Sequence, residues 1–312
     1  MIKIVPKKIF FKKRLDQVLV YLFNEYSRSF LKNLIVKKCV FVDDRISYSP
    51  NKRIFGGEII RLCFYTNIKH LSHASDFFLN IVYEDQTILI INKSYDMVTH
   101  PSPGHINYTL LNVLRFKYKY LKYIPRAGIV HRLDKNTTGL IIIAKNLFTY
   151  LYFKNLFIRR KICREYIIFA IGKLVSGGII KKPIGRDRFK RILMSVNGLN
   201  NKNATTHFRI IKKFNCHTYL RVFLETGRTH QIRVHFLHIN YPVFGDKLYN
   251  KKNLYLKGFN LNCRNTLSLF PRQAMHAQTL RFFNPITRQL MYISSSIPAD
   301  MKILKFYLER CI

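Results

Sequence analysis

Apolar positions along this chain follow two rhythms. Near the start, Leu15, Val18, Leu19 and Leu22 recur at i, i+3, i+4 and i+7, the face of an amphipathic helix. Ser27 is placed to cap a second helix, with Phe30, Leu31, Leu34 and Ile35 as its apolar stripe. Short strands are predicted over Val40–Val42 and Ile59–Leu62, separated by polar residues and Gly56-Gly57. These elements make a small α/β unit at 12–63. Residues 64–78 are polar and aperiodic and read as a linker. From about residue 79 strand patterns take over: Ile81–Tyr83, Ile88–Ile91, Glu165–Ile171, and an alternating strand through Leu220, Val222 and Leu224. Helices are expected over Leu110–Phe116, after Gly227 with Thr229 as cap and Ile232, Phe236 and Ile239 inward, and over Ile297–Leu308. The segment Ile184–Met194 carries Arg186, Arg188, Lys190 and Arg191 with little periodicity and reads as a surface loop or ribbon. The pattern is α+β, with 79–312 as the second domain.

The most distinctive stretch is Gly128–Ala144. The buried run Leu140–Ala144 is too short to span a membrane. It is preceded by a dense polar cluster of His131, Arg132, Asp134, Lys135, Asn136, Thr137 and Thr138. A polar loop entering a rigid strand is a usual place for a site. The competing reading is a tight turn whose Asp caps backbone N–H groups.

Charge narrows the partners. With 54 Lys and Arg against 16 Asp and Glu, the formal net charge is +38. An excess of this size points to a polyanion held through counterion release. Nucleic acid fits better than a membrane surface, because the basic residues are spread along the chain and no run of about 18 apolar residues occurs. Part of the charge is also compatible with compositional drift toward Lys-, Ile- and Asn-rich coding. The six cysteines are scattered, with no C-x-x-C pair, which argues against a disulfide framework or zinc site. The N-terminus lacks the apolar segment of a signal peptide, so a cytoplasmic location is expected. Phosphate-loop and dinucleotide patterns are absent, so no nucleotide cofactor is expected. His235 and His238 stand at i, i+3 on a helix, but only Asp246 among carboxylates or thiols is near in sequence. No metal is expected.

The motif His131-Arg132-Leu133-Asp134, continued by Lys135-Asn136-Thr137-Thr138-Gly139-Leu140, resembles the signature of the RluA-type pseudouridine synthases. Two further motifs agree in order. Arg164-Glu165-Tyr166 resembles the family's basic-x-Tyr motif, although cross-strand packing is the ordinary job of a Tyr in a strand. Gly227-Arg-Thr-His-Gln-Ile-Arg233 resembles its third. Gly245-Asp246, Tyr249, Arg272–Leu280 and Asn284-Pro285 also match its C-terminal pattern. Residues Arg14-Leu-Asp-Gln, Tyr26-Ser-Arg-Ser29 and Val40-Phe-Val-Asp43 resemble an S4 RNA-binding domain, with Lys38 standing where a turn glycine is usual. That substitution leaves the turn tighter or shifted.

The resemblance implies a pseudouridine synthase fold: a mixed, largely antiparallel sheet with a central cleft, preceded by a small S4-like domain. It implies Asp134 as the catalytic carboxylate, acting as nucleophile at C1′ or as base toward a sugar proton. Tyr166 would stack on the base, and Arg233 would pair with Asp134, with Arg228 as the alternative. Leu280 or a neighbour would wall the uracil site. RNA contacts would come from Arg132, His131 and Arg228, and from Arg14, Arg28, Lys32 and Lys38 in the first domain. The expected partner is 23S ribosomal RNA or the assembling large ribosomal subunit, with no cofactor, no membrane and a monomeric enzyme. The rival readings are a non-catalytic RNA-binding assembly factor, a synthase acting on another RNA such as tRNA, or an RNA methyltransferase. The last would need a glycine-rich loop that Glu84-Asp-Gln-Thr87 does not supply.

Overall fold

The computed structural model describes residues 2–6, 10–24, 26, 28–63, 78–101, 108–190, 192–250 and 267–310. Ser27, Arg191, nearly all of the 64–78 linker and part of the loop after His100 lie outside the described residues.

The first unit begins with β1 (Ile2–Ile4), β2 (Lys13–Arg14), α1 (Leu15–Leu22) and α2 (Arg28–Val36). It continues with β3 (Val40–Val42), β4 (Arg45–Ile46), β5 (Arg53–Ile54) and β6 (Ile59–Leu62). The sheet order is β1-β6-β3-β4, and β2 pairs with β5. Residues 2–4 thus add an edge strand ahead of residue 12. The stripe Leu15, Val18, Leu19 and Leu22 of α1 is buried, and α2 turns Leu31, Leu34 and Ile35 into the same core. Helix α2 ends with Lys38 in the left-handed region (φ 58°). The Cys39 N–H donates to Leu34 O at 2.9 Å and the Lys38 N–H to Ile35 O at 3.0 Å. These are the two bonds of a regular glycine-type helix end. The turn is neither tighter nor shifted; Lys38 adopts the conformation glycine would supply.

The second unit is built on β7 (Ile81–Glu84), β8 (Ile88–Lys93), β9 (Thr138–Ala144), β10 (Cys163–Ile171), β11 (Gly178–Lys181), β15 (Thr205–Lys213), β16 (His217–Leu224), β17 (Met275–Phe283) and β18 (Leu290–Ser294). Their order is β11-β15-β16-β10-β17-β9-β8-β7, with β18 on β17. The β17–β9 pair is parallel and the other pairs are antiparallel. Helices α3 (Leu110–Lys117), α4 (Leu147–Ile158), α5 (Gln231–His238) and α6 (Ala299–Arg310) surround the sheet. The basic segment after residue 184 forms a ribbon of β12 (Ile184–Arg186), β13 (Met194–Val196) and β14 (Leu199–Lys202).

Both faces of the sheet are covered, so its central strands are apolar throughout. On β10, Tyr166, Ile168 and Ala170 enter one core while Ile167 and Phe169 enter another. Strand β17 divides likewise: Met275 and Ala277 share the Tyr166 face, Leu280 and Phe282 the opposite one. A bulge at Gln278 interrupts the alternation, and Met275, not Leu280, lines the cleft.

Candidate active site

The loop ahead of β9 is fixed by its backbone. Thr99 Oγ1 donates to Leu133 O at 2.9 Å, Lys93 Nζ to Lys135 O at 3.0 Å, and Arg272 Nη1 to Asn136 O at 3.2 Å. Gln273 Nε2 reaches Thr137 Oγ1 at 3.2 Å, and the Thr137 N–H closes a turn onto Asp134 O at 3.0 Å. Side chains from two distant segments thus hold the carbonyls flanking Asp134. Lys93 is almost fully buried. Burial pulls its pKa down to about 7, against the opposing pull of Asp134, with Arg272 adding to the fall. Gly139 (φ +118°) lets β9 approach β17, since a Cβ there would lie 2.3 Å from Ala277 O.

Asp134 faces a cleft of about 450 Å³ whose walls include Arg132, Arg164, Tyr166, Leu224 and Met275. That volume lies within the roughly 300–1,000 Å³ of small-ligand sites. Behind Asp134 is Arg233, whose Nη1 donates to Asp134 Oδ2 at 3.1 Å. The rest of its guanidinium forks onto Asp246, with Nε–Oδ2 at 2.6 Å and Nη2–Oδ1 at 2.8 Å. Burial works against the charge of Arg233, but Asp246 and then Asp134 outweigh it and hold the group protonated. Asp246 Oδ1 also accepts the N–H groups of Leu248 and Tyr249, and the Tyr249 ring lies 4.8 Å from the guanidinium carbon. One arginine therefore links a buried structural carboxylate to the carboxylate that faces the cleft.

Helix α5 brings Arg233 there by an unexpected start. The residue preceding it is His230, in the left-handed region (φ 56°) and with no side-chain cap, so Thr229 does not cap the helix. Instead Gln231 Oε1 accepts the Arg228 N–H at 3.0 Å and the Thr226 hydroxyl at 2.7 Å. His230 Nδ1 lies 2.7 Å from Tyr249 Oη, and Nε2 is 3.9 Å from Asp134 Oδ2. Burial lowers the pKa of His230 despite Asp134.

The other sequence-predicted residues divide clearly. Tyr166 is 5% exposed and stands on the cleft side of β10. Its phenol pKa is raised by burial, with Arg164 opposing and Asp134 adding. Arg132 is exposed on the cleft wall. His131 also lines the cleft, but its Nε2 accepts the Ile142 N–H at 3.0 Å. Burial and then Arg164 push its pKa down to about 3, so the ring is a neutral loop anchor. Arg228 donates Nε to Asn203 O at 3.1 Å rather than to Asp134. In the first unit, Arg14 and Arg28 both hold buried Asp16, at 3.0 and 2.9 Å, while Lys32 and Lys38 are exposed. His235 is occupied by Thr206 Oγ1 and Lys182 O, which dissolves the His235–His238 ligand pair. Among the described residues no metal-binding group of His, Cys, Asp and Glu occurs, and no helix is long and apolar enough to cross a membrane.

Sequence reasoning missed the grip of Asp246 on Arg233 and the four side chains that fasten the Asp134 loop. One signal was available: Lys93 ends the apolar run Ile88-Leu-Ile-Ile, and a lysine in such a strand needs buried partners.

Comparison with known proteins fits this geometry. A model of the family described as RNA pseudouridylate synthase matches residues 87–238. "Ribosomal large subunit pseudouridine synthase D" of Buchnera aphidicola subsp. Baizongia pistaciae is 46% identical over 301 residues, spanning 96% of this chain and 95% of that protein. The protein of the same name from Vibrio cholerae is 41% identical over 289 residues, spanning 93% and 89%. The solved structure of Human RNA Pseudouridylate Synthase Domain Containing 4 superposes with a TM-score of 0.59 at 20% identity, covering 78% of this chain and 98% of that one. That last likeness concerns the fold.

Proposed function

The chain belongs to the RluA-type RNA pseudouridine synthases, and from that premise we propose that it isomerises uridines of large-subunit (23S) ribosomal RNA at Asp134. The ribosomal substrate rests on the names of the relatives with which it shares 41–46% identity over nearly its whole length. The observation that carries the site assignment is the Arg233 Nη1–Asp134 Oδ2 bond of 3.1 Å in a cleft also walled by Tyr166 and Arg132.

The reaction breaks the C1′–N1 bond of uridine, turns the uracil, and joins C5 to C1′. The C5 proton leaves and N1 takes one up, so no redox partner or energy source is consumed. A carboxylate is needed at the sugar, as nucleophile toward C1′ or base toward a sugar proton. Asp134 is the carboxylate so placed. The charge-assisted bond from Arg233 fixes its rotamer and supports its charge. The target base leaves the RNA stack at a cost of a few kcal/mol. Tyr166 offers a ring on which it stacks, and exposed Arg132 fills the vacated space. Arg228 adds a phosphate contact at the rim. The S4-like unit docks the RNA through Lys32 and Lys38, with Arg14 and Arg28 donating the N–H groups that Asp16 leaves free. The enzyme works as a cytoplasmic monomer without cofactor.

The test incubates 23S rRNA carrying 5-³H-uridine with wild type and with Asp134→Asn. Tritium release by the wild type alone, with equal RNA binding by both, is the expected result. Release by Asp134→Asn at the wild-type rate removes Asp134 from the chemistry. Release from tRNA but not from 23S rRNA would reassign the substrate.

A further inference from the structure

Arg164 is a half-buried cation with no carboxylate partner among the described residues. It stands on β10 two residues before Tyr166 and lines the same cleft. Its Nε is buried with no hydrogen-bond partner, and its Nη2 makes a long bond of 3.5 Å to Leu224 O. Below it lies the Phe157 ring, 5.4 Å from the guanidinium carbon. The two glutamates adjacent to it are engaged elsewhere. Glu165 pairs with Arg221 at 2.9 Å, and Glu225 is held by His207 and by Arg160 at 3.7 Å. Desolvation lowers the pKa of Arg164, and no carboxylate contributes an opposing pull. Shutting the Nε of a guanidinium away from solvent without an anion beside it is costly, and such a group is ordinarily paired.

The local backbone keeps this group open. Gly227 passes so close that a Cβ there would lie 2.7 Å from Arg164 Nη1. Arg132, Arg160 and Arg228 line the same cleft, so a ligand arriving there meets positive potential on several sides. The Nη1 and Nη2 groups, of which only Nη2 has an acceptor and that one at 3.5 Å, form a planar edge that can donate to two oxygens of one tetrahedral anion.

We propose that Arg164 seats a phosphodiester of the RNA flanking the target uridine, so that the backbone is clamped on the Tyr166 side of the cleft while Asp134 faces the sugar. This rests on the reading of the cleft as the uridine site. The substrate brings the missing anion, and the cation unpaired in the free enzyme becomes paired in the complex. Arg164 is thus a binding and positioning residue, distinct from the Asp134–Arg233 pair.

The experiment measures tritium release from 5-³H-uridine-labelled 23S rRNA as a function of salt for wild type, Arg164→Met, Arg164→Lys and Gly227→Ala. Filter binding of the same RNA is measured in parallel. Loss of one phosphate contact makes the slope of log affinity against log salt shallower by about 0.7–0.9. Arg164→Met should show that change in both assays and a roughly ten- to hundredfold lower kcat/KM. Arg164→Lys should keep the wild-type slope. Gly227→Ala, which displaces the Nη1 end, should make it shallower. A wild-type slope in Arg164→Met overturns the inference, whatever its activity. If Arg164→Met does not fold, a wild-type slope in Gly227→Ala overturns it. Absence of release by the wild type would instead sink the uridine-site reading, and the binding slopes would still decide the phosphate contact.

Discussion

Asp246 offers the sharpest test of how the site is held. Its carboxylate is 1% exposed, takes two bonds of 2.6 and 2.8 Å from Arg233, and receives the Leu248 and Tyr249 N–H groups at 3.0 and 3.1 Å. Truncation by Asp246→Ala removes all four. Deleting one partner of a buried pair costs roughly 3–5 kcal/mol. Arg233 keeps Asp134 at 3.1 Å, which places the ionic part at the low end, about 3 kcal/mol. The two lost backbone acceptors add about 1 kcal/mol each. The expected loss is therefore about 5 kcal/mol, read from the urea midpoint and slope. The catalytic consequence is separate. Freed from Asp246, the guanidinium can turn a full two-nitrogen edge onto Asp134 and draw it from the sugar. A displacement of about 1 Å is worth on the order of a hundredfold in rate. The loss should fall on kcat, with KM for 23S rRNA little changed, because Asp246 touches no substrate. Tritium release at saturating RNA measures it. A stability loss under about 1 kcal/mol with unchanged kcat would show that Arg233 is placed without Asp246, and the two-carboxylate account would be wrong.

Three further outcomes are expected. Gly139→Ala puts a Cβ 2.3 Å from Ala277 O at a φ of +118°. It should lower unfolding stability by about 3 kcal/mol or more, and a loss too small to resolve in urea would contradict the close approach. Tyr166→Ala should lower kcat/KM by the equivalent of about 1–3 kcal/mol of base stacking, while Tyr166→Phe stays near wild type; Phe as poor as Ala would assign the role to the hydroxyl. His217 and His276 are fully buried, and burial holds each near pKa 4. Their folded values lie below the unfolded 6.5, so the unfolded chain binds more protons between the two. Stability is therefore complete above about pH 6.5 and falls toward pH 4 by about 1.4 kcal/mol per unit for each ring. Urea midpoints that stay level from pH 7 to 5 would refute this.

What the sequence disclosed and what it hid follow one physical division. The Asp134 motif, the apolar run of β9 and the stripes of α1 and α2 are contiguous or obey a helical or strand period, so they can be read directly. Arg233 was preferred to Arg228 by its place in the Gly227–Arg233 motif, a resemblance that no periodicity supplies. Asp246 stood thirteen residues away with nothing local to tie it to Arg233. The residues that fasten the loop were further off still: Lys93 is 42 positions from Lys135, and Arg272 is 136 from Asn136. Such contacts exist only once the sheet places β8 and β17 on either side of β9, and no periodicity encodes them. The local misreadings have local causes. Thr229 has the residue type of a cap, but the helix starts from a left-handed His230 with no side-chain cap, and Gln231 reaches back to accept the Arg228 N–H. Lys38 lacks the residue type of a helix end yet forms one, because a single left-handed residue costs only about 1–2 kcal/mol and two backbone bonds plus Cys39 burial offset it.

The same division explains why the site tolerates unusual electrostatics. Lys93, Arg233 and Arg272 are cations buried around one loop, with side-chain or residue exposure of 7% or less. Arg233 and Arg272 each have a carboxylate of their own, Asp246 and Asp300, so neither depends on Asp134 for its charge balance. Lys93 is satisfied by three carbonyls and a lowered pKa. Asp134 is then spared from neutralising its neighbours. Among the described residues it accepts one side-chain bond, from Arg233 to Oδ2, which leaves Oδ1 for the sugar in the proposed reaction.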